Sequence, residues 1–172
     1  MPHLSFTLGV DPGLTGAFVM VNAQRDIRVL RMPTRTTKVS GKRREVLDGA
    51  TAAAWLDFNR NLIKRAFVEQ VSSRPRQAGQ FGFGISTGTI HGLLYGNVIP
   101  WTLVSPQTWK SAFGIKRINT QTKRDTKNEA RAIAAQLIPK HAHEFRRVMD
   151  DGVAEAALIA LWGQEQPEDS HG

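Results

Sequence analysis

Leu4-Ser5-Phe6-Thr7-Leu8-Gly9-Val10-Asp11-Pro12-Gly13 reads as a β-strand that ends on an acid. Large apolar side chains alternate with small or polar ones over residues 4–10, the period of a strand, and Pro12 and Gly13 stop it in a sharp turn. Two more β-like runs follow, residues 16–22 and 27–32, joined by the polar segment 23–26. Three short strands in succession make an antiparallel meander. The basic stretch 33–44 then reads as a loop.

From there strands and helices alternate. Asp48 caps a helix reaching Lys64, with Ala52, Trp55, Asn59 and Leu62 as its apolar stripe. Residues 66–71 and 98–104 are strands, and 72–80 is a polar loop. Residues 81–95 form a helix carrying Gly84, Gly88 and Gly92 at four-residue spacing. Glycine weakens a helix, so three on one face imply very close packing there. Residues 106–113 make a short helix or turn, and 114–122 a basic loop. Residues 123–137 are an amphipathic helix with Thr126 and Glu129 as its capping box. Residues 138–149 are a loop, 150–163 a last helix and 164–172 a polar tail. The expected fold class is α/β: a mixed sheet, antiparallel in its first three strands and then parallel, flanked by helices. With no repeat or linker, residues 1–163 make one domain.

The 172 residues suffice for one core, burying roughly 70% of the unfolded-chain surface. The chain has no cysteine, which excludes disulfides and thiolate zinc sites. Met1-Pro2-His3-Leu4 lacks the basic start and apolar run of a secretory signal, so none is expected, and no apolar run nears the roughly 18 residues of a membrane span. A soluble, cytoplasmic protein is expected. The net charge of +8 points to a polyanionic partner. The cations gather in three groups: Arg28, Arg31, Arg35, Lys38, Lys42, Arg43 and Arg44; Arg74 and Arg76; and Lys110, Lys116, Arg117, Lys123, Arg124 and Lys127. Each group is either a solvated surface or a phosphate contact.

The acids say more. Asp11 ends the first strand. Glu69 lies within the apolar strand Ala66-Phe67-Val68-Glu69-Gln70-Val71. Asp150 and Asp151 open the last helix, and Glu155 follows Asp151 by one turn. A carboxylate in an apolar strand is costly unless paired or metal-bound. Carboxylates drawn together repel, and a divalent cation removes that penalty. Oxygen donors alone favour Mg²⁺ or Mn²⁺ over zinc. Singly, each acid has an ordinary explanation as a turn former, an ion-pair partner or a helix cap. Their order and placement together favour a shared site.

Four segments resemble the RuvC family of Holliday-junction resolvases, within the RNase H-like superfamily. Val10-Asp11-Pro12-Gly13-Leu14-Thr15-Gly16 is similar to its first motif, and Phe67-Val68-Glu69-Gln70-Val71 to its second. Val104-Ser105-Pro106-Gln107-Thr108-Trp109-Lys110 resembles the opening of a DNA-contacting region. Asp150-Asp151-Gly152-Val153-Ala154-Glu155-Ala156-Ala157-Leu158 resembles the last motif. The Phe- and Gly-rich stretch 79–94 is more similar to phage- and prophage-encoded members. One departure stands out: housekeeping members place two aspartates at i and i+3, whereas here Glu155 stands at i+4 from Asp151.

The resemblance implies an RNase H-like fold and a homodimer in the cytoplasm of a bacterium or phage-infected host. It implies a structure-selective endonuclease that nicks a four-way DNA junction in pairs, leaving 5′-phosphate and 3′-hydroxyl ends. Two Mg²⁺ or Mn²⁺ ions per site would be held by Asp11, Glu69, Asp151 and Glu155, with Asp150 as a further candidate. The helical advance of about 100° per residue ranks Asp151 first, Glu155 second and Asp150 third. DNA contacts are expected from Arg74, Arg76, Phe81, Lys110, Lys116, Arg117, Lys123 and Lys127. Phe81 is equally a core residue. His141 and His143 read as loop residues, and Trp55, Trp101, Trp109 and Trp162 as packing. Three rivals remain. A sugar-kinase or actin-like ATPase shares the Asp-Gly turn but needs two such domains. A silent DNA-binding module does not need the intact acids. Another RNase H-like nuclease would act on branched DNA or RNA–DNA hybrids.

Overall fold

Residues 4–39, 41–71, 80–115 and 122–167 are described by a computed structural model. Strands β1 (Phe6–Asp11), β2 (Ala17–Asn22) and β3 (Ile27–Arg31) form the expected antiparallel meander. Strands β6 (Ile63–Glu69) and β7 (Trp101–Val104) extend it in parallel from β1, giving the order β3-β2-β1-β6-β7. The mixed sheet read from the sequence is therefore the sheet observed. Its central strands β1 and β2 are buried almost throughout, as expected of strands covered on both faces.

Two cores follow from strand alternation. Phe6, Leu8, Val10, Phe18, Met20, Ala66 and Val68 pack under helices α1 (Gly49–Asn59) and α2 (Gln80–Gly96). Ala17, Val19, Val21 and Phe67 face α5 (Asp151–Gln164), with α4 (Lys123–Leu137) behind it. The short α3 (Pro106–Ala112), capped by Ser105, buries Trp109 at the site end of the same layer.

Several local expectations are corrected. Residues 33–44 are not a loop: β4 (Thr34–Val39) pairs with β5 (Lys42–Leu47) in a separate two-stranded sheet. Its β-branched residues favour the strand, and Gly41 turns it at φ 77°. Its described side chains are exposed apart from the half-buried Thr37 and Val46 and the buried Leu47, so apolar alternation could not signal it. Helix α1 stops at Asn59 because that side chain is buried and bonds back to the Trp55 carbonyl at 2.8 Å. A 3₁₀ turn, Arg60–Leu62, then leads into β6. The capping box of α4 is Thr122 with Asp125. Two 3₁₀ segments, Pro139–Phe145 and Val148–Asp150, fill what reads as loop. Val98 takes a left-handed φ of 56°, which delays β7 until Trp101. The glycines of α2 do not pack onto the sheet: among the described residues a side chain at Gly84, Gly88 or Gly92 would meet open space, which leaves a contact across a dimer as the other reading of their spacing. Of the segment read as a tail, Gln164 donates to the Val21 carbonyl, and Arg65 binds the Gln166 and Pro167 carbonyls. No helix among the described residues is long and apolar enough to cross a membrane.

Candidate active site

Parallel pairing sets Val10 opposite Val68, so Asp11 and Glu69 come one step further along neighbouring strands. Val10 and Val68 point into the α1–α2 core. Alternation therefore turns Asp11 and Glu69 toward the α5 face. The third acid arrives because α5 lies backbone-to-backbone on β1. A Cβ on Gly9 would overlap the Ala156 carbonyl oxygen, and one on Gly152 the Thr15 carbonyl oxygen. Only glycine permits that approach, and it carries Glu155 down to the strand ends.

Glu155 acts electrostatically on Asp11 and on Glu69, and Asp11 acts on Glu69. Burial first and then Glu155 push the Asp11 carboxyl up to about 6, against the Gly13 N–H, at 3.1 Å, and Lys127 and Lys110. Glu69 is pushed up to about 7 by burial, then by Asp11 and Glu155, against Lys110 and a 2.8 Å hydrogen bond from Trp109 Nε1. Lys110 Nζ lies 2.9 Å from Glu155 Oε1 and 4.9 Å from the Trp109 ring centroid. A cation and a ring donor thus partly neutralise a carboxylate group that burial and repulsion destabilise.

The other acids of the last motif are engaged elsewhere. Asp151 pairs with Lys127 at 3.2 Å and Arg131 at 3.0 Å. Lys127 also acts electrostatically on Asp11, which puts this trio on the rim of the site. Asp150 is fully buried at the N-cap of α5. Arg147 Nη2, at 3.0 Å, and Arg31 Nη2, at 3.1 Å, donate to its Oδ1, and the Arg147 backbone N–H, at 2.9 Å, to its Oδ2. Burial raises its pKa, but the Arg147 and Arg31 hydrogen bonds outweigh that and hold it below the usual carboxylate range.

Of the expected DNA contacts, Lys110 and Lys127 stand at the acids. Arg74, Arg76, Lys116 and Arg117 lie outside the described residues, as do the side chains of Phe81 and Lys123. Two residues at the site carry no expectation of a role there. Trp109 reads as packing and does pack, but its ring N–H also fixes Glu69. Arg131 carried a weak signal, four residues beyond Lys127 on the same helix face. His143 is exposed, with its ring tilted against that of His141 and Glu144 3.5 Å away.

Among the described residues no group of three or more His, Asp or Glu side chains is drawn together as a metal cage. The donor set nonetheless suits a hard divalent cation. Asp11 Oδ2, Glu69 Oε1 and Glu155 Oε2 accept no hydrogen bond among the described residues. All are oxygens, in a group whose mutual repulsion a cation would relieve.

A five-stranded mixed sheet with two helical layers, with acids at the ends of its parallel central strands, defines a RuvC-like fold of the RNase H-like kind. Two solved structures of Thermus thermophilus RuvC share it. One, described as in complex with Holliday junction substrate, superposes at a TM-score of 0.58 with 17% identity, over 91% of this chain and 90% of that one. The other superposes at 0.56 with 16% identity, over 92% and 95%. No protein-family model matches the sequence, and no curated protein does.

Proposed function

We propose that the chain is a divalent-metal-dependent endonuclease that resolves four-way DNA junctions by paired strand incision. The observation that carries this reading is the convergence of Asp11, Glu69 and Glu155 beneath Lys110 on a RuvC-like fold. Asp11, Glu69 and Glu155 would hold the metal, with Asp151 on its rim and Asp150 as a structural acid.

Bound there, Mg²⁺ or Mn²⁺ would supply an activated water and stabilise the leaving 3′-oxygen, yielding 5′-phosphate and 3′-hydroxyl ends. The chain's own residues do the rest. Trp109 holds one Glu69 oxygen and so orients the other. Lys110 neutralises Glu155 and presents an ammonium to an incoming phosphate. Lys127 and Arg131, paired with Asp151, set a positive edge along which the DNA backbone can lie. Paired incision requires two sites related by a two-fold axis, hence a homodimer. The open Gly84, Gly88, Gly92 face of α2 is the proposed contact, because helices approach closely only over such residues.

The test is a gel assay on a mobile four-way junction, an RNA–DNA hybrid and plain duplex, each with Mg²⁺ or Mn²⁺. Symmetric nicks that ligase reseals, confined to the junction, are expected. Degradation of the hybrid instead would make the chain another RNase H-like nuclease. Junction retention without cleavage would make it a binding module.

A further inference from the structure

We propose that the β4–β5 hairpin is a nucleic-acid-binding arm that grips the phosphate backbone of the duplex flanking the carboxylate site. The inference rests on the nuclease reading and adds a surface which that reading does not use.

Position comes first. Asp11 pairs with Ala17, and Ala17 with Arg31, so β3 ends two strands from Asp11 at the same end of the sheet. The next residue, Met32, donates its N–H to the Gly16 carbonyl at 2.9 Å, and a Cβ on Gly16 would overlap the Asp11 carbonyl oxygen. The hairpin therefore leaves the sheet at the rim of the site. Its root is firm: Met32 and Leu47 are buried, and Asp48 N–H bonds the Pro33 carbonyl at 2.8 Å. Two six-residue strands at about 3.3 Å per residue reach roughly 20 Å, a length over which duplex DNA presents about 12 phosphates.

Charge comes second. Residues 34–47 hold five cations and one acid, a net +4 out of the chain's +8. The acid, Glu45, is tied across the strands to Thr36. Among the described residues Lys38, Lys42, Arg43 and Arg44 have no ion-pair partner. Lys38 stands directly opposite Arg43, an arrangement that destabilises a strand pair. An isolated two-stranded hairpin is marginal to begin with. Opposed cations on both strands weaken it further, and a polyanion reverses that effect. The hairpin carries no aromatic residue and no apolar face beyond its root, so nothing on it would insert into a bilayer, and its position at the rim of the carboxylate site favours DNA. DNA backbone is the partner that fits.

The test measures affinity of the full chain for a labelled junction in metal-free buffer across a salt series. Each phosphate contact contributes about 0.9 to the slope of log affinity against log salt. Lys42→Ala/Arg43→Ala/Arg44→Ala should therefore flatten the slope by about 2.7, so that raising salt from 50 to 200 mM costs wild type about 40-fold more affinity than it costs the variant. Lys38→Gln/Arg43→Gln removes the opposed charges, should melt no lower than wild type, and should flatten the slope by about 1.8. Unchanged slopes in both variants, with wild type still binding and nicking the junction, overturn the arm and spare the nuclease reading. Wild type binding no DNA overturns both. Phosphatidylserine vesicles that sediment with wild type but not with the variants, at unchanged DNA affinity, would make the hairpin a membrane contact instead.

Discussion

Replacing Asp11 by Asn should stabilise the metal-free protein while destroying its chemistry. The Asp11 carboxyl titrates near 6, against an ordinary value of 3.8. At 1.36 kcal/mol per pH unit that difference is worth about 3 kcal/mol. The folded state keeps a proton that the unfolded chain has already released, so stability falls as pH rises from about 4 and levels off above about 7. Asparagine removes the charge and with it the penalty. Asp11 also raises Glu69, so the variant relieves that group too. Asp11 keeps some solvent contact, and a gain of about 1–3 kcal/mol is the realistic range. For a chain of this size that corresponds to a Tm rise of roughly 3–9 °C. Thermal melts in EDTA should show no gap at pH 3.5 and the full gap at pH 8. Added Mg²⁺ should then stabilise wild type more than the variant, since a ligand that binds only the folded state raises its stability. A variant no more stable than wild type at pH 8, or a gap that does not grow with pH, would refute the shared-carboxylate argument.

In single-turnover nicking with Mg²⁺, Glu155→Gln should lose at least ~100-fold and Asp151→Asn only about 10-fold, the scale of a supporting residue around a metal site; the reverse order would exchange their roles. Asp150→Asn should lower stability by about 1–2 kcal/mol, because it weakens the charge-assisted hydrogen bonds from Arg31 and Arg147, whose guanidinium groups stay partly exposed to water. Since the Asp150 pKa is held low, that contribution is present at neutral pH and lost as pH falls through the folded-state value, so urea melts of variant and wild type should converge in acid. Gly9→Ala should cost about 3 kcal/mol or more, as α5 cannot move off β1 cheaply. Gly88→Ala should stabilise an isolated chain by about 0.5–1 kcal/mol; if that face is the dimer contact, light scattering should instead show weaker association.

The strand period of residues 4–10, the meander after it, and the α/β alternation were legible in the sequence because each is a local pattern of polarity. So were the candidate acids: a charged residue at the end of an apolar strand is conspicuous wherever the strand goes. The hairpin was not legible, because a strand pair with no buried face leaves no apolar rhythm. What the glycine face of α2 packs against was not legible for a related reason, since glycine spacing marks room for approach without saying what approaches. The sorting of Asp150, Asp151 and Glu155 was decided in three dimensions. Helical angle puts Asp151 and Glu155 on one face and turns Asp150 away, and on that basis Asp151 ranks ahead of Glu155. Which of them meets Asp11 depends on Gly9 and Gly152 letting α5 settle on β1, and on Lys127 and Arg131 of α4 drawing Asp151 aside. Sequence determines which groups can carry charge and which face each strand residue takes. Only tertiary packing determines which of those charges are close enough to repel.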